Sequence, residues 1–158
     1  MSQTSPTDLF PFLDDSSGQP DKRSSPPSSL EKAAFYDDAL VAKLRSASEE
    51  DLNQAAFGII RVNHQGRVTF YNEFEARFSG RSPEQTIGRN FFDEVAPCTR
   101  SRLFDGRFKN GVTKDKLDVT FSYTFTYRIR PTLVDVRLLK ENDDTVWILI
   151  RPKAGAEV

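Results

Sequence analysis

The chain has 158 residues, enough for one domain or for one domain with a tail. Hydrophobic residues make up 37%, below the usual globular share, so part of the chain is expected to lie outside a packed core. The 22 basic and 23 acidic groups leave a net charge of -1, which gives no uniform field for nucleic acid or for an anionic membrane. One Cys excludes an internal disulfide, and one Cys with one His excludes the common structural zinc sites, so no metal is expected. The longest apolar run, Val146 to Ile150, falls far short of the roughly 20 residues that span a bilayer. The opening Met1-Ser2-Gln3-Thr4-Ser5-Pro6 has neither the basic nor the apolar region of a secretory signal. The expectation is a soluble protein of a reducing cytoplasm.

Residues 1–29 form the first expected unit. Five of the chain's nine Pro and eight Ser fall within the first 30 residues. Ser24-Ser25-Pro26-Pro27-Ser28-Ser29 cannot bury enough apolar area to offset backbone ordering, which predicts a disordered tail. Asp8-Leu9-Phe10-Pro11-Phe12-Leu13 is an apolar island within it, readable as a docking peptide or as an accidental cluster.

Residues 30–54 are expected to be a helical cap. Leu40, Val41 and Leu44 sit at helical spacing, with Phe35 and Tyr36 one turn earlier, and Ser48 can cap a second short helix through Asp51. Residues 1–52 hold ten acids and five bases, whereas the remainder holds 17 bases and 13 acids. An acidic cap on a more basic core is attracted to it in a salt-sensitive way, a composition that suits a detachable element.

The core is expected over residues 55–151, followed by a short tail, 152–158. Phe57 to Val62 and Val68 to Tyr71 read as strands joined by a turn at His64-Gln65-Gly66. Ser82-Pro83-Glu84-Gln85 combines a cap Ser, a first-turn Pro and a third-position Gln, the start of a short helix before Gly88. Leu103, Phe104, Phe108 and Val112 are expected on one helical face ending near Gly111. Alternation from Leu117 to Ile129 marks the clearest strand, and Leu133 to Leu139 and Thr145 to Arg151 add two more. The order β-β-α-α-β-β-β with short links predicts an α+β domain whose last three strands form an antiparallel meander.

Catalytic machinery is sparse. There is no phosphate-binding Gly-rich loop, and His64 reads as a solvated turn residue rather than a general base. Cys98 has two readings: a small buried hydrophobe, or a thiol that carries or attacks something. Tyr71 and Glu75 form a second candidate pair. Asn72 and Glu75 can make a capping box with an exposed carboxylate. Alternatively Glu75 turns inward beside the Tyr71 hydroxyl, where burial keeps a carboxyl protonated and able to donate.

Gly88-Arg89-Asn90-Phe91-Phe92, Val95-Ala96-Pro97-Cys98-Thr99 and Gly106-Arg107-Phe108-Lys109-Asn110-Gly111-Val112 resemble the photoactive yellow proteins, PAS-fold blue-light receptors. Tyr123-Thr124-Phe125, Tyr127, Pro131-Thr132 and the earlier Ala55-Ala56-Phe57-Gly58 continue the likeness in register. It covers residues 55–151 closely and 30–54 loosely. The resemblance implies a PAS fold, with a five-stranded antiparallel sheet, flanking helices and an N-terminal helical cap. It also implies p-coumaric acid (4-hydroxycinnamic acid) held on Cys98 as a thioester. Tyr71 and Glu75 match the two donors to its phenolic oxygen. Ser79 stands where the family often has Thr, Arg81 matches the guanidinium that shields the pocket, and Phe91, Tyr123 and Phe125 match its walls.

The function so implied is a non-enzymatic photoreceptor, without catalytic residues. Light would isomerise the chromophore, Glu75 would give up its proton, and the buried carboxylate would be relieved by release of the cap. The downstream signalling partner is not implied, and a monomer or weak homodimer is expected. The alternatives are a chromophore-free PAS interaction domain and a redox sensor or thiol enzyme built on Cys98. Ile129 departs from the family, where a Met is common and is linked to thermal re-isomerisation. Slower dark recovery is therefore expected, and Ile129→Met should accelerate it; a substitution that leaves the thermal return rate unchanged would count against the idea.

Overall fold

The apolar run Val146–Ile150 lies within the central strand of the sheet, which is why its residues do not alternate with polar ones: both faces are covered. A computed structural model describes residues 30–126 and 131–153. The tail 1–29 with its Asp8–Leu13 island, Tyr127, Ile129 and the residues from 154 onward lie outside the described residues.

The described chain opens with a 3-10 turn, Lys32–Tyr36, followed by α1 (Leu40–Ser46) and α2 (Glu49–Asn53). Two strands, β1 (Gly58–Val62) and β2 (Val68–Tyr71), precede α3 (Glu73–Ser79) and α4 (Pro83–Thr86). A single π turn, Phe91–Val95, and a 3-10 turn, Pro97–Thr99, lead to α5 (Asp105–Val112). The strands β3 (Asp118–Phe125), β4 (Thr132–Asn142) and β5 (Thr145–Pro152) complete the domain.

The strands form one antiparallel sheet in the order β2-β1-β5-β4-β3. The last three strands are the expected meander, and β1 closes onto β5, with Ile60 opposite Ile148. Pleating sends successive side chains to opposite faces. Val146, Ile148 and Ile150 of β5 join Ile60, Val136, Phe91, Phe104 and Phe125 in one core. Trp147 and Leu149 turn the other way and pack with Phe57, Ile59, Leu139 and the cap residues Leu30, Phe35, Leu40, Leu44 and Leu52.

Local signals in the sequence account for most element ends. Ser48 accepts from the Asp51 N–H while Asp51 accepts from the Ser48 N–H, a complete capping box, and Ser82 with Gln85 repeats the device at α4. Gly66, in the β1–β2 turn, has φ +88°, a conformation that glycine adopts without the cost a Cβ would impose.

Two local expectations need correction. Leu103 is 42% exposed and precedes α5, so the helix buries Phe108 and Gly111, with Phe104 at its N-cap. The helix ends at Val112, near Gly111 as expected, and Gly111 packs so closely on Leu117 that a Cβ there would meet its Cδ1 at 2.5 Å. The segment around Cys98 is not an open loop but two short helical turns.

Phe104 organises the inner core, with its ring within 6.2 Å of those of Phe91, Phe92, Phe121, Tyr123 and Phe125. Phe104→Ala is expected to cost about 3–5 kcal/mol in chemical denaturation, the usual range for an aromatic truncated in a packed core. A loss below about 1 kcal/mol would mean that the aromatic cluster is not the mechanical centre of this core.

Candidate functional site

The site grows from the junction of β2 with α3. Tyr71 ends β2 and Asn72 caps α3, its Oδ1 accepting from the Glu75 N–H at 3.0 Å. Both helical readings of this turn are thereby half fulfilled. The cap bond exists, but the Glu75 side chain turns inward and is fully buried. The reason is steric and visible at Gly58 on β1: a Cβ there would fall 2.2 Å from Glu75 Oε1. Gly58 thus supplies the space that the carboxyl occupies.

Tyr71 is 1% exposed, and its hydroxyl lies 2.7 Å from Ser79 Oγ. Ser79 Oγ also accepts the Arg81 N–H at 3.2 Å, which ties the serine to the turn after α3. Burial pushes the Tyr71 phenol far above its usual range and a charge on the nearby Glu75, when that group ionises, raises it further, while the Ser79 hydrogen bond and the Arg81 charge pull it down. Tyr71, Glu75, Ser79 and Arg81 are therefore one electrostatic unit.

Cys98 sits on the 3-10 turn Pro97–Thr99, half-buried against the same inner core that contains Tyr71, Phe91 and Phe125. Its backbone is fastened from β3: the Tyr123 hydroxyl donates to the Cys98 carbonyl at 2.6 Å and lies 2.9 Å from Ser101 Oγ. Tyr123, expected as a wall, is thus also a clamp on the thiol-bearing turn. Phe91 and Phe125 are buried and meet Phe104, the first at 5.9 Å in a tilted pair and the second at 6.2 Å in a stacked one. Ile129 lies outside the described residues. His64 stays an exposed turn residue, its Nδ1 2.6 Å from Asp144 Oδ1. Among the described residues no group of three or more His, Cys, Asp or Glu side chains could hold a metal ion.

Two contributors escaped the sequence reading. Asn72 looked like a simple cap, yet its amide also donates to the Leu52 and Phe57 carbonyls at 2.8 and 3.1 Å and accepts from the Ile59 N–H at 2.9 Å. Gly58 carried no signal except its place in Ala55-Ala56-Phe57-Gly58, because the need for a missing side chain shows only when α3 is laid over β1.

A five-stranded antiparallel sheet with helices packed against both faces, and a cysteine packed against the same inner core as a buried tyrosine, has the architecture of a PAS domain, and residues 49–152 match the PAS fold family. The photoactive yellow protein of Halochromatium salexigens is 44% identical over 118 residues, 74% of this chain and 94% of that relative. The photoactive yellow protein of Rhodothalassium salexigens is 34% identical, covering 77% of this chain and 98% of its own length. The crystal structure of the photoactive yellow protein domain of the sensor histidine kinase Ppr from Rhodospirillum centenum superposes with a TM-score of 0.67 at 38% identity. That match covers 70% of this chain and 98% of that domain. The chain belongs to the photoactive yellow protein family of PAS-fold photosensors.

The raised phenol of Tyr71 has a testable sign. A phenol that resists ionisation in the fold but ionises near its ordinary value when unfolded stabilises the protein below about pH 10, and the unfolded chain gains ground above it. Stability in the cofactor-free protein is expected to fall as pH rises from about 10. Tyr71→Phe should flatten that fall in denaturation curves taken between about pH 9 and 11. An unchanged slope would show that the Tyr71 phenol titrates alike in the two states.

Proposed function

We propose that this protein is a blue-light receptor that carries a p-coumaroyl group as a thioester on Cys98 and signals by loosening its N-terminal cap. The observation that carries the reading is the inward-facing Glu75 carboxyl beside the buried Tyr71 phenol, in the same inner core that Cys98 packs against.

The residues fit such a group. The Tyr71 hydroxyl, 2.7 Å from Ser79 Oγ, can accept the serine proton and so offer its own to an acceptor inside the pocket. A carboxyl without exposed surface holds a proton at lower cost than it holds a charge, so Glu75 supplies a second donor. Two short donors and a nearby guanidinium, Arg81, are what a phenolate taken out of water requires. Phe91, Tyr123 and Phe125 provide apolar walls, and the Tyr123 bond to the Cys98 carbonyl holds the turn that carries the sulfur. When bound, the p-coumaroyl group supplies blue absorption and a double bond that light can isomerise.

The chain's own part in signalling is a proton held and then lost at Glu75. A buried carboxylate costs several kcal/mol, comparable to the stability of a small domain, so local opening relieves it. Asn72 joins the two events structurally, because the same amide bonds the Glu75 N–H and the Leu52 carbonyl of the cap. Nothing in this scheme calls for turnover of a substrate, and the protein acts as a covalent binding module rather than an enzyme.

The test is reconstitution of the purified protein with an activated p-coumaric acid derivative, beside Cys98→Ala and Glu75→Gln. A visible band that requires Cys98, bleaches in blue light and returns in darkness is expected. Glu75→Gln should keep a shifted band but lose the light-induced loosening of the cap. A colourless product whose Cys98 stays reactive to iodoacetamide would overturn the photoreceptor reading in favour of an interaction domain or thiol sensor. Undiminished cap loosening in Glu75→Gln would overturn the proton-transfer step alone.

A further inference from the structure

The outer face of the sheet contains a buried cation that the site described above does not use. Arg137 of β4 is 4% exposed, although arginine seldom tolerates such burial without full pairing. Its guanidinium divides between two partners. Nε and Nη2 each donate to the Asp118 carboxylate of β3, both at 2.9 Å, the bidentate fork that fixes geometry best. Nη1 donates to two backbone carbonyls of the cap, Phe35 at 2.9 Å and Asp37 at 2.8 Å.

Those carbonyls lie where the cap turn ends. Phe35 is in the 3-10 turn Lys32–Tyr36 and Asp37 is its C-cap, at the negative end of the turn's dipole, and the Asp37 carbonyl also accepts from the Leu40 N–H at 3.1 Å. Arg137 closes that turn from across the molecule, as a cationic C-cap reaching from another element. The acidic side chains of the cap are not what it grips: Asp37 spends its carboxylate inside the cap, on Lys43 at 2.5 Å.

We propose that Arg137 is the latch that fastens the N-terminal cap to the sheet, and that Asp118 makes this latch reversible. The inference deepens the cap-release reading given above. Detaching a cap from a buried arginine would ordinarily strand a charge. Here the Asp118 side chain is 52% exposed, so when the carbonyls of Phe35 and Asp37 withdraw, Arg137 keeps its charged partner and gains water. Opening therefore costs the cap's hydrogen bonds and apolar contacts but no unpaired buried ion. The same edge strand that supplies Asp118 carries Tyr123, the clamp on the Cys98 carbonyl, so β3 touches both the thiol-bearing turn and the latch.

A second tie lies beside it and serves as the comparison. The Tyr36 hydroxyl donates to Asp135 Oδ2 at 2.8 Å and accepts from Arg151 Nη1 at 3.1 Å, but Tyr36 is half exposed and water can replace these bonds.

The test measures cap opening by limited trypsin digestion of the full chain, followed at Lys43 and Arg45 of α1, under conditions where cleavage tracks the open population. The first arm uses cofactor-free protein and needs no light. Arg137→Lys and Arg137→Gln are expected to speed cap cleavage by roughly tenfold or more, Asp118→Asn by severalfold, and Tyr36→Phe by less than about threefold. Amide exchange in β5 should stay as slow as in the natural protein, which separates opening of the cap from loss of the fold. Cap cleavage within about twofold of the natural rate in both Arg137→Lys and Asp118→Asn would overturn the proposal, and Asp118→Asn keeps it testable if the Arg137 variants do not fold. The second arm repeats the digestion on reconstituted protein in darkness and in blue light. A large light-induced gain in the natural chain that shrinks in Arg137→Lys, already open in darkness, supports the latch as the element that light releases. An equal light-induced gain in both proteins would overturn that link. If no coloured protein forms, the photoreceptor reading fails while the first arm still decides the latch.

Discussion

The structure turns on one buried amide. Asn72 has no exposed surface, and its side chain bonds to four backbone groups from three places: Leu52 at the end of the cap, Phe57 and Ile59 at the start of β1, and Glu75 in α3. An amide offers two donor hydrogens and two acceptor lone pairs, so this one is fully used. Leaving any of those backbone groups unpaired in the interior would cost about 1–3 kcal/mol, which makes the arrangement hard to exchange for another. Its geometric consequence is larger than its energy. With the first turn of α3 pinned against β1, the third helical position points at Gly58, and the Glu75 carboxyl takes the space a side chain would have filled.

That constraint gives the sheet two unlike faces. The inner face gathers aromatic rings around Phe104 and sets a phenol, a carboxyl and a thiol at its edge. The outer face is covered by a cap of short helices, none longer than seven residues. Isolated helices of that length are unstable in water, so the cap holds its shape only while docked. Leu30, Phe35, Leu40, Leu44 and Leu52 supply apolar burial, and Arg137, Tyr36 and the Arg45–Glu141 pair add polar ties. The proposed function uses this dependence on docking, since an element that is stable only in place is the one a perturbation of the sheet would open.

The chain's one His lies in an exposed turn with its Nδ1 2.6 Å from Asp144 Oδ1. What surrounds Cys98 is structural: a 3-10 turn, packing against the inner core, and a Tyr123 hydroxyl that holds its carbonyl. In the proposed function these features hold the point of attachment, and the electrostatic work falls to Tyr71, Glu75 and Arg81.

Much of this was legible in the residues alone. Alternation from Leu117, short β-rich runs elsewhere and turn residues located all five strands, and the Ser48 and Ser82 capping signals located two helix starts, because these patterns report interactions within a few residues of one another. The segment from Val95 to Thr99 carried the family likeness, and Tyr71 and Glu75 stood out as a pair. Whether Glu75 faced water or the core was undecidable from spacing, since either side of α3 satisfies the Asn72 cap; the close approach of β1 at Gly58 decided it. The burial of Arg137 had the same character. In the sequence it is a charged residue in a strand, and only the meeting of β3, β4 and the cap turn gives it an acid on one side and two carbonyls on the other. Local pattern determined the elements and the chemistry available, while long-range packing determined which side chains lost their water, and burial is what gives those groups their function.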